Sequence, residues 1–133
     1  MGFVLDSSVS LAWLLQDEAN EQTDALADRL EHEDAHVPSI WPLEVGNALM
    51  MALRRKRLTE AEFDRCISAL SALPIEVEPP AVLANVLLIA RRFGLTSYDA
   101  AYIELAQRRG LSLATLDEKL RQACKALKVP VLP

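Results

Sequence analysis

The stretch that decides the fold is Phe3-Val4-Leu5-Asp6-Ser7-Ser8, close to the N-terminus. Three apolar residues in a row indicate a short buried strand. Asp and Ser side chains accept hydrogen bonds from the free N–H groups at the start of a helix, so they predict a helix over residues 9–15. The stretch therefore predicts a strand that leads directly into a helix.

The rest of the chain continues this alternation. Hydrophobic spacing, the Thr59-x-x-Glu62 capping box and the stops at Gly94 and Gly110 predict helices over residues 21–33, 41–57, 59–72, 81–93, 98–109 and 117–127. Short apolar or alternating runs predict strands at 36–38, 75–78, 111–114 and 129–132. Strands that alternate with helices imply right-handed crossovers. The predicted fold class is α/β, with a mainly parallel central sheet flanked by helices.

Composition sets the broad class of protein. A chain of 133 residues corresponds to one domain, and folding should bury roughly 68% of its unfolded surface. Its 51% hydrophobic and 25% charged residues exclude a disordered protein. No basic N-terminal region and no run of about 18 apolar residues is present, so we expect a cytoplasmic protein with no membrane span. Cys66 and Cys124 fit no metal-binding spacing and are expected to be buried thiols.

The net charge of −5 has the wrong sign for binding nucleic acid through bulk electrostatics. A nucleic-acid partner would therefore require local positive charge or a bound metal ion. Lys119, Arg121 and Lys125 are expected to steer a phosphate backbone. Three further basic groups, at residues 54–57, 91–92 and 108–109, could also bind phosphate, but each ends a predicted helix, where cations offset the helix dipole.

Four acidic residues lie where the chain enters a helix. Asp6 and Asp117 follow strands, which places them at the carboxyl edge of the predicted sheet, where ligands bind in open α/β folds. Glu44 and Asp99 fall in the first turns of helices. Each acid could instead complement a helix dipole, a contribution of about 0.3 to 1 kcal/mol. Glu44 lies on a mostly apolar helix and needs a partner.

A cluster of these acids would have a particular chemistry. Carboxylates within about 6 Å of one another repel and raise their own pKa values unless a cation neutralises them. Hard oxygen ligands favour Mg²⁺ or Mn²⁺, and such ions can activate water and stabilise the leaving oxygen of a phosphodiester. The residues thus favour metal-assisted phosphodiester hydrolysis, without distinguishing RNA from DNA.

Four segments in a fixed order carry a resemblance to a known family. They are Val4-Leu5-Asp6-Ser7-Ser8, Trp41-Pro42-Leu43-Glu44-Val45-x-Asn47-Ala48-Leu49, Leu95-Thr96-x-Tyr98-Asp99-Ala100-Ala101-Tyr102, and Leu113-Ala114-Thr115-Leu116-Asp117. With these segments, residues 3–132 resemble a PIN-domain ribonuclease of the VapC toxin type. The resemblance implies that residues 1–133 form one PIN-like metal-dependent nuclease domain.

The resemblance also implies roles for individual residues. Asp6, Glu44, Asp99 and Asp117 would bind the metal and carry catalysis, and Ser8, Asn47 and Thr115 would support the site through hydrogen bonds. Many relatives carry another acid shortly after the fourth. This chain has Lys119-Leu120 there, which leaves open whether one or two ions bind.

The activity implied by the resemblance is Mg²⁺- or Mn²⁺-dependent endonucleolytic cleavage of RNA. The protein would be the toxin of a toxin-antitoxin pair, a homodimer inhibited by its cognate antitoxin protein. One alternative is a non-catalytic PIN-like interaction module that keeps the fold and the partner surface. Another is an aspartyl phosphotransferase that uses Asp6 as its nucleophile.

The chain also contains the zinc-protease pattern H-E-x-x-H, at residues 32–36. This motif requires both histidines on one helix, so that they face the same metal ion. A turn at Glu33-Asp34 and the proline at position 38 interrupt the helix before His36. We therefore expect a solvated loop here and no zinc site.

Overall fold

The computed structural model describes residues 2–15 and 20–133. In chain order, the elements are β1 (Gly2–Leu5), α1 (Ser7–Leu14), α2 (Glu21–Arg29), β2 (Asp34–Val37), α3 (Trp41–Arg54), α4 (Glu60–Ser71), β3 (Ile75–Val77), α5 (Leu83–Phe93), α6 (Ser97–Arg109), β4 (Ser112–Ala114), α7 (Glu118–Leu127) and β5 (Val131–Leu132). Every predicted strand and helix is found, with shifted ends.

The five strands form one sheet in the order β3-β2-β1-β4-β5, and all four strand pairs are parallel. β1 lies at the centre, where Val4 pairs with His36 on one side and Leu113 on the other. Since parallel strands end at the same edge of the sheet, the residues after β1 and β4 are neighbours. The α/β prediction is confirmed.

Local signals explain where several helices begin and end. Thr59 and Glu62 form the predicted capping box at the start of α4. The Thr59 hydroxyl accepts from the backbone N–H of Glu62 at 3.1 Å, and the Glu62 carboxylate accepts from the backbone N–H of Thr59 at 3.0 Å. Gly94 and Gly110 end α5 and α6 in the left-handed conformation, which glycine adopts without steric cost. These boundaries were readable in the sequence.

Two of the boundaries that differ from the predictions have a clear local reason. Helix α1 begins at Ser7 and not at residue 9, and the side chain of Asp6 makes no capping hydrogen bond to it. Helix α2 ends at Arg29 and not at residue 33, because residues 30–33 form turns and Asp34 already pairs with Gly2 in the sheet. Sheet pairing thus overrides helical spacing here.

The core lies between the sheet and the helices that cover it. Phe3, Val4 and Leu5 of β1 are fully buried, as are Tyr102 and Ile103 of α6. Cys66 and Cys124 are buried free thiols, as expected. In the described part of the chain, no helix is long and apolar enough to cross a membrane.

Candidate functional site

Asp6 follows β1 at the carboxyl edge of the sheet and is 4% exposed. Its Oδ2 atom accepts hydrogen bonds from Thr115 Oγ1 at 2.6 Å and from Ser8 Oγ at 2.9 Å, and its Oδ1 atom accepts a longer one from Ser7 Oγ at 3.3 Å. Burial raises the pKa of Asp6, and these hydroxyl donors oppose the shift. The carboxylate is therefore held by hydroxyls from Thr115 and from Ser7 and Ser8, the first two residues of α1.

The same hydroxyls tie the end of β1 to the loop between β4 and α7. Ser8 Oγ accepts a hydrogen bond from the backbone N–H of Leu116 at 3.1 Å, and Thr115 Oγ1 accepts one from that of Asp117 at 3.0 Å. Asp117 caps α7, because its Oδ1 accepts from Leu120 N–H at 3.1 Å. Two of the three predicted supporting residues thus contact Asp6 directly.

Glu44 lies in the first turn of α3, and its partner is Tyr102. The fully buried Tyr102 hydroxyl donates to Glu44 Oε1 at 2.5 Å. Burial raises the pKa of Glu44, the Tyr102 hydrogen bond opposes this, and the charges of Asp6 and Asp99 raise it further. Burial and the negative charge of Glu44 also raise the pKa of Tyr102, so the phenol stays protonated as a donor.

Asp99 lies in the first turn of α6, where Thr96 is the capping residue. Burial raises the pKa of Asp99, and so do the charges of Asp6 and Asp117, while Thr96 and Lys119 lower it. Lys119 is anchored by a hydrogen bond from Nζ to the carbonyl of Gly94 at 2.9 Å.

The structure therefore brings all four predicted acids into one electrostatically coupled group. We call Asp6, Glu44, Asp99 and Asp117 the acidic edge. Its donors are carboxylate oxygens, which are the ligands that Mg²⁺ and Mn²⁺ prefer, so the residues present fit a hard divalent ion. Because the carboxylates repel one another, a bound cation would stabilise the group.

In the part of the chain that the structure describes, no three ligand atoms of the acidic edge lie within 4.8 Å of one another. In the described residues, three ligand atoms within 4.8 Å of one another occur only at His36, Glu76 and Glu78. His36 Nδ1 lies 3.0 Å from Glu78 Oε1 and 3.8 Å from Glu76 Oε2, and Arg109 Nη1 donates to Glu78 Oε1 at 2.9 Å. We call these four residues the β3 ionic cluster.

The β3 ionic cluster corrects one expectation about the H-E-x-x-H pattern. His32 is exposed in a turn after α2, so the two histidines do not share a helix, as predicted. His36, however, does not lie in a solvated loop. It is 8% exposed within β2, because its strand pairs with both β1 and β3.

The basic residues have mixed environments. Arg54 ends α3 and Arg91 lies in the last turn of α5, as expected for cations at helix C-termini. Arg121 donates to the backbone carbonyls of Thr115 and Pro133, at 3.0 and 3.1 Å. Its guanidinium therefore fastens the C-terminus near the loop that carries Asp117.

Two residues qualify the prediction of the site from the sequence. Tyr102 lies in the third of the four matching segments, but the sequence predicts no role for it. Its position three residues after Asp99 places both on one face of a helix, a spacing that could have drawn attention to it. Asn47 is exposed on α3 and takes no part in the hydrogen bonds described above, so its supporting role stays a prediction.

Two relatives that are similar to this chain over most of its length are named as ribonucleases. Ribonuclease VapC3 of Pyrobaculum aerophilum is 31% identical over 134 aligned positions, which cover 98% of this chain and all of that protein. Ribonuclease VapC3 of Mycobacterium tuberculosis is 33% identical over 122 positions, covering 90% of this chain and 85% of that protein.

Solved structures show the same fold. PAE2754 of Pyrobaculum aerophilum superposes with a TM-score of 0.74 at 28% identity, over 98% of this chain and 83% of that one. VapBC2 of Rickettsia felis, bound to a promoter DNA fragment, has a TM-score of 0.69 at 11% identity, over 98% and 97% of the two chains. The sequence pattern of the PIN domain matches residues 3–126. This chain therefore belongs to the PIN domain family, and its VapC relatives make it a member of the VapC type.

Proposed function

We propose that the protein is a metal-dependent endoribonuclease that hydrolyses RNA and acts as the toxin of a toxin-antitoxin pair. The observation that carries this proposal is the acidic edge, where Asp6, Glu44 and Asp99 are coupled by their charges in a fold shared with proteins named as ribonucleases. Residues 1–133 would form a single metal-dependent nuclease domain.

The four acids would hold Mg²⁺ or Mn²⁺. When bound, such an ion makes water more acidic and stabilises the leaving oxygen of a phosphodiester. The chain's own part is to position the ligands: Thr115 and Ser8 hold Asp6, and Tyr102 holds Glu44. This support keeps the carboxylates in place against their mutual repulsion.

Positive charge beside the acidic edge gives RNA a path of approach despite the net charge of −5. Lys119 lies close enough to Asp99 to affect its pKa, and Lys125 is exposed on α7. Both can contact phosphates of the RNA backbone. Arg121 has a smaller share in this role, because its guanidinium already binds two backbone carbonyls.

Two protein partners complete the proposal. A cognate antitoxin would inhibit the enzyme by covering the acidic edge with a basic side chain, as the carboxylates there lack close cationic partners other than Lys119 among the described residues. A second copy would pack on α5, where Leu83, Leu87 and Leu88 are between 46 and 66% exposed. Exposed apolar surfaces of this kind mark protein interfaces. Light scattering at micromolar concentration tests the dimer, and a strict monomer would contradict it.

We place the protein in the cytoplasm, where RNA is abundant and where its two free thiols would remain reduced.

The proposed metal dependence can be tested by incubating the purified protein with end-labelled RNA in Mg²⁺, in Mn²⁺ and in excess chelator. We expect internal cleavage with metal and none with chelator. Cleavage that persists in chelator would contradict the metal mechanism. No cleavage with either metal, in a protein that still binds an antitoxin, would favour the non-catalytic module.

A further inference from the structure

Three of the four carboxylates of the acidic edge share a pattern of hydrogen bonding. Oδ2 of Asp6 accepts two hydroxyls, Oε1 of Glu44 accepts the Tyr102 hydroxyl, and Oδ1 of Asp117 accepts a backbone N–H. The second oxygen of Asp6, Oδ1, accepts a longer bond of 3.3 Å from the Ser7 hydroxyl. In Glu44 and Asp117, one oxygen is bound by the protein and the other is left for a cation, and in Asp6 the two shortest bonds likewise fall on one oxygen.

Tyr102 holds one oxygen of Glu44, and its own position is fixed more firmly than that of an exposed side chain. The residue is fully buried in α6, so its ring has no freedom to move away, and its hydroxyl has one proton to donate. The 2.5 Å distance to Oε1 is that of a strong hydrogen bond to a charged acceptor. Glu44 is thereby fixed in rotation, with Oε1 turned to the phenol.

Cations differ in how they use carboxylates. Ca²⁺ takes about six to eight oxygens at about 2.3 to 2.6 Å and accepts both oxygens of one carboxylate, whereas Mg²⁺ requires a near-ideal octahedron at about 2.0 to 2.1 Å. Mn²⁺ also favours six oxygen ligands. A site that offers one oxygen per carboxylate therefore favours the smaller ions, since Ca²⁺ cannot fill its larger shell with two oxygens from one acid.

We propose that Tyr102 is a positioning residue that restricts Glu44 to coordination through a single oxygen, and that it thereby sets the preference of the site for Mg²⁺ and Mn²⁺ over Ca²⁺. This inference rests on the proposed function, because it takes the acidic edge to be the metal site. Thr115 and Ser8 impose the same restriction on Asp6.

A purely structural role for Tyr102 makes a different prediction. A buried hydroxyl needs a hydrogen-bond partner, and Glu44 could serve only that need. In that case, removing the hydroxyl would change the melting temperature but leave the affinities for the three metals in their original ratio. Metal selectivity is therefore the measurement that separates the two roles.

The experiment is isothermal titration of Mn²⁺, Mg²⁺ and Ca²⁺ into the full chain, for wild type and Tyr102→Phe. Loss of a group that orients a metal ligand commonly weakens binding about 10- to 100-fold. We expect the Mn²⁺ dissociation constant to rise by at least about 10-fold, while Ca²⁺ affinity is unchanged or higher. The matched control is Tyr98→Phe, at the only other tyrosine, which is 56% exposed and should leave all three affinities unchanged.

A second variant keeps the test decisive if Tyr102→Phe does not fold. Thr115→Val preserves shape at a fully buried position and removes the 2.6 Å donor to Asp6, so it should lower the Mn²⁺ to Ca²⁺ preference in the same direction. A folded Tyr102→Phe, or failing that a folded Thr115→Val, with the wild-type affinity ratio would overturn the proposal. Failure of the proposed function looks different: wild type itself would bind no Mn²⁺, or Asp6→Asn would bind it equally well.

Discussion

The acidic edge and the β3 ionic cluster both contain several carboxylates, but the side chains that surround these carboxylates differ in charge. In the cluster, Glu78 is 9% exposed and is matched by Arg109 at 2.9 Å and His36 at 3.0 Å. In the acidic edge, the neighbours that perturb Asp99 most strongly after burial are the carboxylates of Asp6 and Asp117. Glu78 has an arginine and a histidine built into the fold beside it, whereas the acids of the acidic edge have neutral hydroxyls and further acids as neighbours.

The difference teaches that close packing of ligand atoms is not by itself a sign of a metal site. The β3 ionic cluster has the tighter spacing, within 4.8 Å, yet its buried acid Glu78 is already paired with Arg109. The acidic edge is looser, but burial raises the pKa values of Asp6, Glu44 and Asp99, and repulsion by neighbouring carboxylates raises those of Glu44 and Asp99 further, which a cation would relieve. Acids whose pKa values are raised by burial and by one another are the better indication of function.

The largest expected effect comes from neutralising the acidic edge. Asp6→Asn, Glu44→Gln and Asp99→Asn should each lower RNA cleavage by more than about 100-fold, because loss of a group that only orients a ligand already costs about 10- to 100-fold. Asp117→Asn should be milder, since an amide oxygen can still ligate. The control is Asp24→Asn, on an exposed position of α2, which should cleave like wild type. If Asp24→Asn lost RNA cleavage to the same extent, the acids of the acidic edge would be no different from an exposed acid elsewhere, which would contradict the prediction.

A substitution in the β3 ionic cluster should change the free energy of unfolding and not RNA cleavage. Glu78→Gln weakens the acceptor that Arg109 and His36 share, and we expect it to lower the free energy of unfolding by about 1 to 3 kcal/mol. Glu76→Gln is the matched control, since its side chain is 63% exposed and it should change stability little. Denaturant melts and the RNA assay measure the two properties. Cleavage that falls with Glu78→Gln in proportion to the acidic-edge variants would show that the two regions are not separate.

A smaller effect is expected from pH in the absence of metal. Because the pKa of Asp99 is raised above its ordinary value of 3.8, the folded state takes up a proton before the unfolded state does. The contribution of Asp99 to the free energy of unfolding therefore falls as the pH rises from that ordinary value through the raised one. In chelator, the melting temperature of wild type relative to Asp99→Asn should improve as the pH is lowered through that interval. A gap that stays constant with pH would contradict the raised pKa.

The fold was largely predictable because its signals are local. Apolar runs mark the strands, Thr59 with Glu62 marks the start of α4, and Gly94 marks the end of α5. The positions of the four acids at the ends of strands and the starts of helices were equally readable. The sequence could not reveal which atoms meet: Tyr102 and Glu44 are 58 residues apart, and Glu78 and His36 are 42 apart. Contacts of this kind depend on helix packing and strand order, which no short motif encodes.

The most direct test of the central claim is a pair of thermal melts of wild type and Asp99→Asn, in excess chelator and in excess Mg²⁺ or Mn²⁺. If the acidic edge stores repulsion that a metal ion relieves, the variant should melt at the same temperature as wild type or higher in chelator. With metal the order should reverse, because a ligand at about 100 times its dissociation constant stabilises by about 2.7 kcal/mol, which the variant would largely lose. If Asp99 is only a helix-dipole charge, the variant should be less stable by about 0.3 to 1 kcal/mol in both buffers. That equal deficit would contradict the account.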